Sequence, residues 1–162
     1  MGDGPPGLAE RIGHITGPER FLCARKRAVG FGDALAEAGL KPHGGVRFGE
    51  WSERWGREAA AKLLADAPDT DGIFCGSDQI ARGVADTLRA GGRAIPGDVA
   101  LVGFDNWEPM ALGAQPPLTS IDMCLEEVGR VAAELLLAAI AGEPSRGTRT
   151  VPSRLVVRQS SP

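Results

Sequence analysis

Val99-Ala-Leu-Val-Gly-Phe-Asp-Asn106 runs from an unbroken apolar stretch directly into a carboxylate and an amide. A short continuous apolar run marks a strand buried on both faces, as in a parallel sheet. Gly72-Ile-Phe-Cys75 has the same character and is followed by Gly76-Ser-Asp78. Between the two runs, Ser77 or Asp78 opens a helix that reaches about Ala90 and stops at Gly91-Gly92. Strand, helix, strand is the unit from which parallel sheets are built.

The same alternation extends in both directions. Arg11-Ile-Gly-His-Ile-Thr-Gly17 alternates apolar and other residues, and it ends at Gly17-Pro18 as a strand does. A helix is predicted from about Glu19 or Ala24 to Ala38, before Gly39. Val46–Gly49 reads as a strand, and Ser52 caps a helix that ends before Pro68. Past Pro116-Pro117 come an extended piece to Ile121, a helix from about Leu125 to Ala141, and a strand over Val151–Val157. The pattern predicts an α/β fold: a parallel sheet with helices on both faces and right-handed crossovers.

Composition sets limits on function. A chain of 162 residues is enough for one domain with its own core. A net charge of −3 provides no basic field, so the chain is not expected to clamp nucleic acid unaided. No apolar stretch approaches the roughly 18 residues of a membrane span. Met1–Gly7 has neither the basic start nor the apolar core of a secretory leader. Cys23, Cys75 and Cys124 show no CxxC spacing, and His14 and His43 lie far apart. Reduced thiols in a cytoplasmic protein, with no metal site, are the expectation. Walker A, GxGxxG, GxSxG and HExxH patterns are absent. The residues offer chemistry only through Asp78 and Asp105 as an acid–base pair, and nothing else supports it. The expectation is a protein that is not an enzyme and uses no cofactor.

Ligands of open parallel sheets bind outside the carboxyl ends of the strands. The polar residues there are Thr16, Glu50, Ser77-Asp78 and Asp105-Asn106, with Trp51 and Phe104 as flat apolar surfaces. Hydroxyls, carboxylates and an amide beside aromatic faces suit a polyhydroxylated or ring-shaped small molecule. Asp78 as a plain helix cap and Asn106 as a plain turn residue stay open as alternatives. Asp105 directly follows buried residues, where a charge needs a reason.

Six segments also form a pattern in order. They are Ile12-Gly-His-Ile-Thr-Gly-Pro18, Arg27-Ala-Val-Gly-Phe31 with Ala34–Gly39, and Phe74-Cys-Gly-Ser-Asp-Gln-Ile-Ala81. The others are Ile95-Pro-Gly-Asp-Val-Ala-Leu-Val-Gly-Phe-Asp105, Pro116-Pro-Leu-Thr-Ser-Ile121 and Glu127-Val-Gly-Arg-Val-Ala-Ala-Glu-Leu-Leu136. Together they resemble the C-terminal part of bacterial transcriptional regulators of the LacI/GalR family. The resemblance implies one lobe of a type I periplasmic-binding-protein-like fold plus a helix from the other lobe. Residues 8–121 and 150–158 would form the C-terminal lobe, and 122–149 would hold a helix of the first lobe. Residues 1–7 match nothing and are expected to be disordered. The helix-turn-helix would lie outside this sequence.

By resemblance, Arg27 hydrogen-bonds a small sugar-like effector, Asp105 accepts from its hydroxyls, and Trp51 stacks on its ring. Ser77 stands where sugar-binding members often have asparagine. Phe21 stands where some members place a polar contact, and Met123 lies where the chain crosses between lobes. Trp55, Ile80, Val84, Met110 and Leu112 fall on the stretches that form a homodimer interface in the family. The implied function is effector sensing that controls DNA binding by a separate N-terminal domain, in the cytoplasm and away from membranes. The alternative is a sugar-binding receptor of a transport system, which shares the fold.

Overall fold

The structure is a computed structural model that describes residues 9–162, so the disorder expected for 1–7 lies outside the described residues. In chain order the elements are β1 Ile12–Thr16, α1 Leu22–Glu37, β2 Val46–Phe48, α2 Glu53–Asp66, β3 Gly72–Cys75 and α3 Asp78–Ala90. They continue with β4 Ala100–Asp105, α4 Glu108–Ala111, β5 Thr119–Asp122, α5 Leu125–Ile140 and β6 Arg154–Val156. The sheet order is β2-β1-β3-β4-β5-β6. All neighbours are parallel except β5 and β6, which pair antiparallel with Ile121 opposite Leu155.

The serines act as read. Ser52 Oγ accepts from the Trp55 N–H at 3.1 Å, and Ser77 Oγ accepts from the Ile80 N–H at 3.2 Å. The first helix starts at Leu22, between the two starts expected, and no side chain caps it at Phe21. Two details depart from the expectation. The one-turn α4 was not foreseen. The last strand is shorter than expected and runs antiparallel. Strand direction is set by the path of the preceding connection, which a local apolar pattern does not record.

Helices cover both faces of the sheet. Side chains alternate along each strand, so Ile15, Ile73, Cys75 and Leu101 point to one face. There they join Ala59, Ala60 and Leu63 of α2 and Ile80, Val84 and Leu88 of α3 in one buried core. On the other face, Phe31 of α1 packs against His14 and Phe74, with ring centroids at 5.1 and 6.0 Å.

Two expectations about surfaces change. Ile80 and Val84 are 0% exposed, closed over by α2, so they are core residues rather than an exposed interface patch. Trp55 also turns inward: its indole N–H donates to the Thr16 carbonyl at 2.9 Å. Met110 is half-buried with the Arg82 guanidinium on its sulfur, which leaves Leu112 as the exposed apolar residue of that set. By contrast, α5 has no buried residue, and Val128, Leu136 and Ile140 face solvent. No helix among the described residues is long and apolar enough to cross a membrane.

His14 is a polar residue in an apolar place. It is 0% exposed, its Nδ1–H donates to the Phe74 carbonyl at 2.9 Å, and its Nε2 has no partner among the described residues. Burial lowers its pKa from 6.5 to about 4, against the Phe74 hydrogen bond and with help from the Arg27 charge. A depressed imidazole pKa means that the unfolded chain takes up the proton first. Stability is therefore expected to fall as pH drops from about 6.5 to about 4, and to level off below, by about 3 kcal/mol. Urea unfolding at pH 7, 5.5 and 4 measures it, and His14→Phe removes this part of the slope. Equal slopes in the two proteins would refute the assignment.

Candidate functional site

Residues at or just past the carboxyl ends of β2, β3, β4 and β5 meet around Arg27, which reaches across from α1. Its Nη1 donates to the Gly76 carbonyl at 2.8 Å. Its guanidinium lies 3.7 Å from the centroid of Phe104 and 5.6 Å from that of Trp51. A flat, delocalised cation stacks well on aromatic faces. Nη2 reaches the Met123 sulfur at 3.9 Å and Asp105 Oδ1 at 3.8 Å. The latter separation is too long for a hydrogen bond, so each group keeps bonding capacity toward a third partner.

Burial acts on both charges. It lowers the Arg27 pKa, while the Asp105 and Cys23 charges oppose the shift. It pushes Asp105 up to about 6, against the attraction of Arg27 and with added repulsion from Asp78. Trp51 owes its place to a missing side chain: a Cβ on Gly17 would lie 2.1 Å from its ring. Sequence reasoning thus places Arg27, Trp51, Asp105 and Met123 in one cluster, and the structure brings them together.

Ser77 and Phe21 are less central. Ser77 is 5% exposed and its oxygen already caps α3, so only its O–H remains for a ligand. Phe21 sits at the start of α1 with the Arg20 guanidinium 5.0 Å above its ring. It is not among the residues lining either cavity that opens off Asp105.

Asp78 is neither a simple cap nor a free acid. Ser120 Oγ donates to its Oδ1 at 2.6 Å, and the Trp107 N–H donates to its Oδ2 at 2.8 Å. Burial raises its pKa, while Ser120, Trp107, Arg158 and Phe104 pull it down. The carboxylate is engaged in holding the loop after β4, which argues against an Asp78–Asp105 acid–base pair. That loop is strained: Asp105 has φ 105° and Asn106 φ 51°. Asn106 is held as well, by its N–H to Ser120 Oγ at 3.0 Å and by Arg158 Nη2 on its Oδ1 at 2.6 Å. Sequence reasoning missed the roles of Ser120, Arg158 and Trp107. Their partners lie far away along the chain, and no local pattern signals them.

Two cavities open off Asp105 and Asn106. One, of about 610 Å³, extends toward Asp122, Glu127, Arg130 and Arg154. The other, of about 540 Å³, extends toward Trp107, Met123 and Leu125. Both sizes suit a small molecule. No group of three or more His, Cys, Asp or Glu among the described residues is arranged to hold a metal ion.

The periplasmic binding protein-like domain family matches residues 8–161. The chain is 38% identical over 152 residues to the HTH-type transcriptional regulator CelR of Thermobifida fusca, covering 93% of this chain and 44% of that protein. It superposes on a CelR–cellobiose complex with a TM-score of 0.83 at 37% identity, over 94% of this chain and 47% of the other. It also superposes on a lac repressor dimer bound to operator and the anti-inducer ONPF, with a TM-score of 0.87 at 25% identity, over 94% and 53%. This chain spans less than half the length of CelR.

Proposed function

The chain belongs to the periplasmic binding protein-like domain family, in its LacI/GalR-type regulator branch, and from that premise we propose that it senses a small sugar-like effector for a transcriptional regulator. The observation that supports this most is the Arg27–Asp105 pair, 3.8 Å apart and without a direct hydrogen bond, with the guanidinium lying over the rings of Trp51 and Phe104. A ligand hydroxyl placed there donates to the carboxylate and accepts from the guanidinium. Phe104 backs the cation, and Trp51 offers a face for a ring. The cellobiose held by CelR fits this chemistry.

In this reading, residues 8–121 and 150–158 form one lobe of a two-lobed cytoplasmic sensor, and 122–149 carry a helix of the other lobe. The exposed apolar residues of α5 then pack against that lobe in a longer chain. Effector binding biases two lobe arrangements of a homodimer, and DNA is contacted only through an N-terminal domain. No reaction is catalysed.

Calorimetric titration with mono- and disaccharides, cellobiose among them, tests the reading. Asp105→Asn is expected to weaken binding roughly 10- to 100-fold, the effect of losing a charged acceptor. Wild-type affinity is expected to fall as pH drops through about 6, where Asp105 gains its proton, and the Asn variant loses that dependence. Unchanged affinity in Asp105→Asn and in Arg27→Ala would refute the site.

A further inference from the structure

We propose that Trp107 forms a second sugar subsite beside the Arg27–Asp105 centre, so that the ligand is a saccharide of at least two rings. This rests on the sugar-sensing reading above and adds to it the size of the effector. Trp107 follows Asp105-Asn106 directly, and its side chain is 48% exposed. Its backbone is not loose: the N–H is tied to the buried Asp78 carboxylate at 2.8 Å. A large apolar ring on an anchored backbone loses little freedom when a ligand settles on it.

The ring lines the cavity of about 540 Å³ that it shares with Asp105, Asn106, Glu108 and Met123. Met123 also touches Arg27, with its sulfur 3.9 Å from Nη2. The cavity at Trp107 therefore begins where the Arg27 site ends. Trp51 lies beside Arg27, and Trp107 shares its cavity with Asp105 and Met123, the two residues nearest the Arg27 Nη2. Sugar rings present apolar C–H faces and a polar rim. Trp107 takes a face, and Glu108 and Asn106 take the rim. The Asn106 Oδ1 is occupied by Arg158 and its amide also hydrogen-bonds the Asp122 carboxylate, so one side-chain N–H remains to donate to a ligand oxygen.

The test is calorimetry on this chain with matched sugars: glucose against cellobiose and maltose, and galactose against lactose. In at least one pair the disaccharide is expected to bind about tenfold tighter. Trp107→Ala is expected to bring that disaccharide to the level of its monosaccharide, leaving monosaccharide binding unchanged. Trp107→Phe is expected to keep most of the preference, and Trp51→Ala to weaken both sugars of the pair. An unchanged ratio in Trp107→Ala, or monosaccharides that bind as tightly as disaccharides, would overturn the subsite and leave the sugar-sensing reading intact. Binding of none of these sugars by the wild-type chain would overturn both.

Discussion

Gly83→Ala is expected to lower stability by about 3 to 4 kcal/mol, with a melting temperature roughly 10 °C lower. The cause is the closeness of two backbones. A Cβ on Gly83 of α3 would lie 2.0 Å from the Glu53 carbonyl oxygen of α2 and 2.9 Å from the Arg57 nitrogen. The contact is mutual, since a Cβ on Gly56 would lie 2.2 Å from the Ile80 carbonyl oxygen. Backbone cannot swing aside as a flexible side chain can. The helices can separate only by opening the core that Leu63, Ile80 and Val84 share. Gly32→Ala on α1 is the control, because a Cβ there meets no atom of the described residues within 4 Å. It is expected to stabilise by about 0.5 to 1 kcal/mol through its better helix propensity. Urea unfolding of both variants decides the matter. A Gly83→Ala protein within 1 kcal/mol of wild type would show that the helices slide apart freely.

Asp78→Ala is expected to destabilise by about 4 kcal/mol and to weaken effector binding more than tenfold. The substitution removes the acceptor of Ser120 Oγ and of the Trp107 N–H in a nearly closed site, where Asp78 is 1% exposed. It also frees the loop whose Asp105 and Asn106 adopt positive φ. Released from Asp78, that loop relaxes, and Asp105 leaves its position beside Arg27. Asp78→Asn separates this role from simple helix capping. The amide keeps the shape but turns an N–H toward a donor, either Ser120 or Trp107, so about half of the stability loss is expected. If Asp78 were only a cap, Asn would serve as well as Asp. Chemical denaturation alongside sugar titration reads both effects. Wild-type melting in Asp78→Ala would refute the clamp.

Much of this architecture was legible residue by residue. Val99–Phe104 and Gly72–Cys75 announced buried strands because burial on both faces leaves no polar position in the run. Ser52 and Ser77 announced helix starts because a cap acts on an N–H a few residues away. Arg27 became a candidate site residue through the family resemblance, since nothing in its own neighbourhood marks it. Asp105 drew attention because a carboxylate directly after buried residues is costly.

The rest depended on partners that meet only in the folded chain. Ser120 lies 42 positions from Asp78, and Arg158 lies 52 from Asn106. Ile80 and Val84, suited by composition to a surface patch or to a core, became core because α2 lies on α3 with glycine against backbone. The antiparallel turn of β6 followed from a connection through α5, not from the character of Arg154–Val156. Helix caps and strand burial are short-range effects, so neighbouring residues encode them. Close approach between helices, the clamp on the Asp105 loop and the 3.8 Å gap between Arg27 and Asp105 are long-range distances, set only when the sheet has assembled.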